Sequence, residues 1–277
     1  MKKKVSAGTV AAVVSVLALA LAAYAAFFRP AGAAMPLRGV RILLAGDSRS
    51  SMDYSFYQEI LERKTGATVL VDGASGRKAA YNASDEYFGR IAADGHDFSL
   101  WLVGGNDDGS AGTVGTFSPD SVLAQQGEAA VEETDLARDY EGNTFIQAVD
   151  HIMRKYKSLF YDPAKNASGH VPRMIFCTDL PQQRDSADSP WSQRENWERK
   201  RLAILECCEK NRIPCLDLYT LCGFDMSFEP MYHEPTDTKT DNGIFYMDGL
   251  HPNARGIDLI TNFEVAAMKQ YKLGAQD

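Results

Sequence analysis

Two short polar motifs, far apart in the chain, contain the residue types of a nucleophile and its base. Gly46-Asp47-Ser48 directly follows an apolar run, and Asp248 and His251 lie three positions apart near the C-terminus. In a tight turn, a carboxylate at position 248 can bind one imidazole nitrogen of His251 and leave the other nitrogen to accept the hydroxyl proton of Ser48. The two motifs therefore predict a Ser-His-Asp triad. His233 is the alternative base.

A third motif predicts a donor to negative charge on a reacting oxygen. Gly104-Gly105-Asn106-Asp107 follows another apolar run, and the side-chain amide of Asn106 can stabilise an oxyanion. Each motif alone also has a structural interpretation, since Asp and Ser cap helices and Gly-Asn pairs form turns. Their occurrence together, in this order along the chain, favours the catalytic interpretation.

The elements that must position these residues alternate along the chain. Short apolar runs predict strands over 40–45, 67–71, 98–103, 174–177 and 213–218. Apolar side chains at helical spacing predict helices over 52–64, 82–92, 145–159, 193–210 and 254–271. Such alternation is typical of a parallel sheet covered by helices on both faces. In these folds the functional residues lie beyond the carboxyl ends of the strands, where Ser48 and Asn106 are expected.

The order of these motifs resembles that of the GDSL/SGNH hydrolase family, over residues 40–271. The matching blocks are Gly46-Asp47-Ser48, Gly76 in Gly73-Ala74-Ser75-Gly76, Gly104 to Asp107, and Asp248 with His251. The resemblance implies a three-layer α/β/α sandwich with a mostly parallel, five-stranded, flavodoxin-like sheet. It also implies an oxyanion hole formed by the backbone N–H groups of Ser48 and Gly76 and the side chain of Asn106. It requires no cofactor and no metal.

Two departures from the family's motifs bear on the substrate. Arg49 stands where the first block usually has Leu, and Arg77-Lys78 follows the glycine of the second block. Two cations near the cleft would disfavour a buried alkyl chain, so we expect short acyl esters, chiefly of acetylated carbohydrate. Four aromatic residues are interpreted either as the lining of such a site or as core: Trp191, Trp197, Phe245 and Tyr246.

The same triad leaves other functions open. A lipase or lysophospholipase would act on lipid esters, and an acyltransferase would pass the acyl group to a sugar hydroxyl instead of water. A catalytically inactive domain that binds glycan is the alternative from another class. That alternative would be favoured by loss of the nucleophile, the base or the oxyanion donor, and Ser48, His251 and Asn106 are all present.

The N-terminal residues 1–35 predict a membrane anchor or a signal peptide, followed by one hydrolase domain over 36–277. Three lysines precede an uncharged apolar stretch over 5–28, which as a helix is long enough to cross a bilayer. Ala31-Gly32-Ala33 has the spacing of a signal-peptidase site, but the long apolar run favours an uncleaved anchor. Both interpretations place the domain outside the cytoplasmic membrane.

The charge of the chain limits the kinds of partner that the domain can bind. The net charge is −8, and −12 without the four basic residues of positions 1–34, which argues against binding of nucleic acid or of anionic membrane by the domain itself. The acidic stretch over 108–141 is expected to be solvated surface, as a lid or a partly mobile loop.

Five cysteines without a C-x-x-C pair predict no zinc site. They indicate small buried side chains or one disulfide, such as Cys208 with Cys215 or Cys222.

Overall fold

The computed structural model describes residues 35–52, 56–166, 170–181, 194–224 and 243–273, with side chains up to 271. The chain divides into two units, Met1–Pro36 and Leu37–Asp277, and the sheet and its helices belong to the second. The predicted anchor or signal peptide, His233 and Trp191 lie outside the described residues. None of the helices in the described ranges is long and apolar enough to cross a membrane.

Five parallel strands form one sheet in the order β2-β1-β3-β4-β5. They are β1 (Arg41–Gly46), β2 (Thr68–Gly73), β3 (Phe98–Leu102), β4 (Arg173–Cys177) and β5 (Cys215–Leu216). The register pairs Gly46 with both Gly73 and Leu102. The loops that follow the three neighbouring strands therefore leave the sheet at the same edge.

Helices cover both faces of this sheet. They are α1 (Tyr57–Thr65), α2 (Ala79–Asn82), α3 (Asp85–Asp94), α4 (Val122–Gln125), α5 (Phe145–Tyr156), α6 (Arg194–Asn211), α7 (Leu218–Leu221) and α8 (Ala254–Leu273). Alternate residues of β1 enter different cores: Leu43 packs with α3, α5 and α6, whereas Ile42 and Leu44 pack with α1 and α8. Both faces of the strand are apolar because both are buried. The predicted three-layer α/β/α fold with a parallel five-stranded sheet is confirmed.

Most predicted elements have bounds that differ by one or a few residues, and in three of them the contacts explain the difference. The helix expected over 82–92 is two helices, because Ser84 is extended and caps α3 by accepting the N–H of Tyr87. The strand expected over 213–218 shortens to two residues, since the backbone carbonyl of Asp217 accepts the N–H groups of Thr220 and Leu221 and begins α7. The helix expected over 145–159 ends at Tyr156 and continues as a π-helical turn.

The acidic stretch over 108–141 is only partly the solvated surface that we expected. Seven of its eight acidic residues are exposed, but Glu128 is buried. Its carboxylate accepts the backbone N–H groups of Gly112, Val114 and Gly115 at 2.7–3.0 Å. These bonds satisfy donors that the loop would otherwise bury, so Glu128 fixes the first part of the stretch.

The five cysteines are small core side chains rather than cross-links. All five thiols are free, and those of Cys177, Cys207, Cys208 and Cys222 are buried. The alternative of a disulfide between Cys208 and Cys215 or Cys222 is not realised in this structure.

Glu264 of α8 is a buried carboxyl group between α1 and β4. Its side chain accepts a hydrogen bond from the hydroxyl of Tyr57, and the thiol of Cys177 lies 3.8 Å from the same oxygen. The amine of Lys64 is engaged elsewhere, with Thr261 and Asn262. Burial therefore dominates and raises the pKa of Glu264 to about 8.

Replacing Glu264 by Gln should remove a loss of stability at high pH. The unfolded chain releases this proton near the ordinary pKa of 4.5, whereas the folded protein holds it up to about pH 8. The stabilising contribution is therefore complete below about pH 4.5 and is lost as the pH rises through about 8. Each pKa unit corresponds to about 1.4 kcal/mol. The unfolding free energy of Glu264→Gln, relative to that of wild type, should therefore rise by roughly 2–4 kcal/mol between about pH 5 and pH 8.5.

Urea unfolding at the two pH values measures this difference. Glu59→Gln, at an exposed position of α1, is the matched control and should leave the pH dependence unchanged. An unchanged pH dependence in Glu264→Gln would show that the carboxyl group is already ionised in the folded protein at neutral pH.

Candidate active site

Ser48 lies immediately beyond the carboxyl end of β1, in a single 3₁₀ turn over Ser48–Ser50. The turn is closed by the N–H of Ser51, which donates to the carbonyl of Ser48 at 3.1 Å. Gly46 makes the sharp exit possible: its φ is +144°, and a Cβ there would lie 1.9 Å from the carbonyl oxygen of Leu102. Only glycine lets β1 end this close to β3.

His251 reaches the Ser48 hydroxyl from a turn before α8. The Nε2 atom of His251 is 2.9 Å from Oγ of Ser48, and its Nδ1 atom is 2.7 Å from Oδ2 of Asp248. Because an ionised carboxylate only accepts hydrogen bonds, Nδ1 carries the proton and Nε2 of the neutral ring is the acceptor. The structure thus brings the three residues of the predicted triad together, and all three are buried.

The turn itself fixes the orientation of the Asp248 carboxylate. Its Oδ1 atom accepts the backbone N–H groups of Leu250 and His251 at 2.9 and 2.7 Å, while Oδ2 faces the imidazole. Burial alone would raise the pKa of Asp248, but the hydrogen bonds and charge of His251, with the two N–H donors, hold it below its ordinary value. Asp248 is therefore ionised at neutral pH and able to stabilise a protonated His251.

The loops after β2 and β3 contact each other at the edge of the sheet where β1 ends. The side-chain amide of Asn106 donates to the carbonyl of Arg77 at 3.2 Å, and the Asp107 carboxylate accepts the N–H of Ala79. Gly76 has a left-handed φ of +71° and is exposed, in the same loop as Arg77. The structure thus brings Asn106 next to the segment that contains Gly76. Since a primary amide has two N–H bonds, donation to Arg77 leaves one for another acceptor.

The guanidinium of Arg77, one of the two cations expected near the cleft, is bound by neighbouring groups rather than free. It donates to the carbonyl of Asp72 and lies 5.0 Å from the ring of Tyr81 and 5.3 Å from that of Tyr87. The carboxylate of Asp72 and the two aromatic faces draw the side chain back toward β2. Lys78 is exposed.

The described aromatic residues are used in packing. Tyr246 is buried and donates to the carbonyl of Pro181 at 2.6 Å, and Phe245 stacks on Phe224 with ring centroids 4.8 Å apart. Trp197 is also buried, with the amine of Lys200 at 3.6 Å from the centre of its ring. For Trp197 and Tyr246 the core interpretation is the correct one, whereas Phe245 packs against the core and is partly exposed.

A buried network of charges lies beneath the loops of the site, and sequence reasoning missed most of it. Arg49 donates to both carboxylate oxygens of Asp47, at 2.9 and 2.6 Å, and pairs with Asp179 beyond β4. Lys200 of α6 pairs with the other oxygen of Asp179 at 3.1 Å. All four side chains are at most 1% exposed. The Arg49 departure from the family's motif was the one signal in the sequence.

The charges within this network compensate one another. Burial alone would raise the pKa of Asp47, but the charge and hydrogen bonds of Arg49 hold it below its ordinary value. Two carboxylates therefore face two cations. Among the described residues, no group of His, Cys, Asp or Glu side chains is arranged to hold a metal ion.

Solved structures share this architecture over most of the chain. A possible lipase from Chitinophaga pinensis has a TM-score of 0.56 at 17% identity, covering 84% of this chain and 99% of that one. A protein from Lactobacillus plantarum has a TM-score of 0.55 at 17% identity, covering 84% and 98%. An acetyl xylan esterase has a TM-score of 0.50 at 15% identity, covering 82% and 99%.

Neither a protein-family model nor a curated protein matches the sequence. Identities this low establish a shared fold, and the roles of individual side chains stay predictions. The described part of the chain shares its α/β/α fold with these solved structures, among them a possible lipase and an acetyl xylan esterase.

Proposed function

We propose that this protein is a serine ester hydrolase with Ser48 as nucleophile, His251 as general base and Asp248 as the group that orients the base. The observation that carries the proposal is the continuous hydrogen-bonded chain from Asp248 through His251 to Ser48. A hydroxyl bound to a neutral imidazole, whose other nitrogen is bound to a carboxylate, is the arrangement that activates serine for acyl transfer.

The reaction proceeds in two steps. Oγ of Ser48 attacks the ester carbonyl while Nε2 of His251 takes its proton, and the resulting imidazolium is stabilised by ionised Asp248. The tetrahedral intermediate collapses when the C–O bond to the alcohol breaks and His251 returns the proton to that alcohol. Water then attacks the acyl-serine, with His251 again accepting and returning a proton, and the carboxylic acid leaves.

Negative charge on the intermediate's oxygen needs fixed donors. In this proposal they are the backbone N–H groups of Ser48 and Gly76 and the side-chain amide of Asn106. The support is the contact of the loops after β2 and β3 at the edge where β1 ends. Donors of this kind act mainly on the transition state, so their loss lowers kcat more than it changes KM.

Replacing Ser48 or His251 by Ala should lower kcat/KM for p-nitrophenyl acetate by about 10⁴-fold or more, because each removes a member of a unit that acts together. Asp248→Asn should have a similarly large effect by changing the tautomer of His251. Labelling with a fluorophosphonate probe should occur in wild type and be absent in Ser48→Ala.

Ser158→Ala and His170→Ala are matched controls, since both residues lie outside the Ser48–His251 contact, and they should leave the rate unchanged. Circular dichroism checks that every variant is folded. Retention of more than a tenth of the activity in Ser48→Ala would exclude this serine as the nucleophile.

We further propose short acyl esters on carbohydrate as the substrate class. An acetyl xylan esterase shares the fold. In this chain, Lys78 is an exposed cation two residues after Gly76. Seven of the eight acidic residues in the stretch over 108–141 are also exposed. A long alkyl chain gains nothing from such polar surroundings. A lipase is the competing assignment, because a possible lipase shares the same fold.

A chain-length series of p-nitrophenyl esters separates the two substrate classes. We expect kcat/KM to be highest for acetate and to fall by at least about tenfold by octanoate, because each added methylene group finds no apolar surface to bury it. Acetate release from acetylated xylan should follow, with Ser48→Ala as the blank. A specificity constant that rises steadily to dodecanoate would assign a lipase instead.

We also propose that the hydrolase domain lies outside the cytoplasmic membrane. The support is the lysine-led apolar stretch over 5–28. Protease added to cells with permeabilised outer layers and an intact cytoplasmic membrane should therefore digest the domain. A chain shortened to begin at Pro36 should be soluble and active. Protection of the domain until the inner membrane is broken would overturn this location.

A further inference from the structure

We propose that Lys200 and Arg49 are positioning residues for Asn106, acting through the loop after β3 and not on the substrate. This inference rests on the proposed function, because it assigns to the buried charges the task of holding the oxyanion donor. Lys200 belongs to none of the motifs that define the triad, and Arg49 is the residue at which the first motif departs from its usual pattern.

The peptide unit between Gly104 and Gly105 is held at both ends by this network. Its carbonyl oxygen accepts a hydrogen bond from the amine of Lys200. Its N–H, on Gly105, donates to Oδ2 of Asp47 at 2.9 Å. The Asp47 carboxylate is in turn fixed by Arg49. A peptide plane bound on both sides cannot rotate without breaking a hydrogen bond to a buried charged group.

Asn106 is also constrained on its other side. The carbonyl of Asp107 accepts from the Lys200 amine at 3.3 Å, and the N–H of Asp107 donates to the carbonyl of Gly104 at 3.2 Å. Lys200 thus contacts the carbonyls of the residues on both sides of the Gly105-Asn106 pair. A single ammonium group determines the shape of the turn that carries the proposed oxyanion donor.

Stability is a poor explanation for this arrangement. Burying four charged groups costs desolvation free energy, and well-packed apolar side chains of similar volume often stabilise a fold equally well or better. Catalytic donors have a stricter requirement, since they must be held within about 0.5 Å of the productive geometry. The two bound ends of the peptide unit before Asn106 satisfy that requirement.

The network acts at a distance from the reacting atoms. The side chains of Arg49 and Lys200 are at most 1% exposed, and their hydrogen bonds go to buried carboxylates and backbone carbonyls. They therefore do not touch the substrate, and their loss should reduce transition-state stabilisation while ground-state binding is kept.

The experiment is a double-mutant cycle between Lys200→Met and Asn106→Ala in the full chain, with kcat and KM for p-nitrophenyl acetate as readouts. Asn106→Ala alone should lower kcat by about 10²–10³-fold. Lys200→Met alone should lower kcat by about 10–100-fold with KM within about threefold of wild type, and Lys200→Arg should recover part of the loss. In the Asn106→Ala background, Lys200→Met should lower kcat by less than about a further threefold, because the donor that Lys200 positions is already absent.

Two further variants separate positioning from general destabilisation. Lys210→Met removes another ion-paired lysine of α6, bound to Asp150 and Glu133, and should leave kcat unchanged. Gly105→Ala keeps every charge but places a Cβ 2.9 Å from Oδ2 of Asp47 and 3.0 Å from Nε of Arg49. It should reproduce the kcat loss and the lack of additivity with Asn106→Ala, even if Lys200→Met does not fold.

The outcomes are distinct. The positioning role would be overturned if the kcat losses of Lys200→Met and Asn106→Ala multiplied in full in the double variant. It would also be overturned if both Lys200→Met and Gly105→Ala kept a kcat within threefold of wild type. In either case the esterase assignment stands. An inactive wild type whose Ser48 is not labelled by a fluorophosphonate would overturn the proposed function, and the positioning role with it.

Discussion

Gly46, Gly73 and Leu102 end three neighbouring parallel strands at the same level of the sheet, because the register pairs the first of them with both others. This pairing leaves almost no space at the edge: a Cβ on Gly46 would overlap the Leu102 carbonyl, and one on Gly73 would lie 2.5 Å from Oγ of Ser50. Three loops are thereby forced into mutual contact, and each carries one component of the candidate site. The position of His251 depends on the same edge, since its turn can reach Ser48 only where β1 ends.

Three buried carboxyl groups show how their partners, rather than burial itself, decide the charge in this interior. Asp47 and Asp248 are both buried, yet the pKa of each lies below its ordinary value because Arg49 or His251, with backbone N–H donors, stabilises the ionised form. Glu264 is bound by a hydroxyl and a thiol instead, and its pKa rises to about 8. The ionised acids lie at the carboxyl edge of the sheet, where a reaction that develops charge requires fixed charges and dipoles. The neutral acid lies among α1, β4 and α8, where a charge would only destabilise the fold.

Much of this architecture could be predicted from the sequence, because the period of apolar residues distinguishes buried strands from amphipathic helices. The contacts of Ser48, Asp248 and His251 were also expected, since their motifs occur together and in the order that resembles the GDSL/SGNH family. The path of the Arg77 side chain was not, because it depends on the aromatic faces of Tyr81 and Tyr87, which only the folded loop presents. The burial of Glu128 within an acidic stretch, and that of Lys200 on a highly charged helix, are likewise tertiary effects. Glu128 and Lys200 each bind several backbone groups of a segment other than their own.

Arg49 connects the first motif to the buried charge network, because an arginine at this position depends on the carboxylates that it binds. With Leu at this position, Asp47 and Asp179 would face only Lys200, and the interior would contain one uncompensated negative charge at a cost of several kcal/mol. With Arg49 but without Asp179, two cations would face a single carboxylate. Loss of one of Arg49, Asp179 and Lys200 therefore needs a compensating change elsewhere in the network. Arg49 and Asp179 are 130 residues apart in the sequence. A sequence with Arg at this position of the first motif is consequently expected to carry either both an acid beyond the fourth strand and a base on the following helix or neither of them, because both arrangements balance the buried charge.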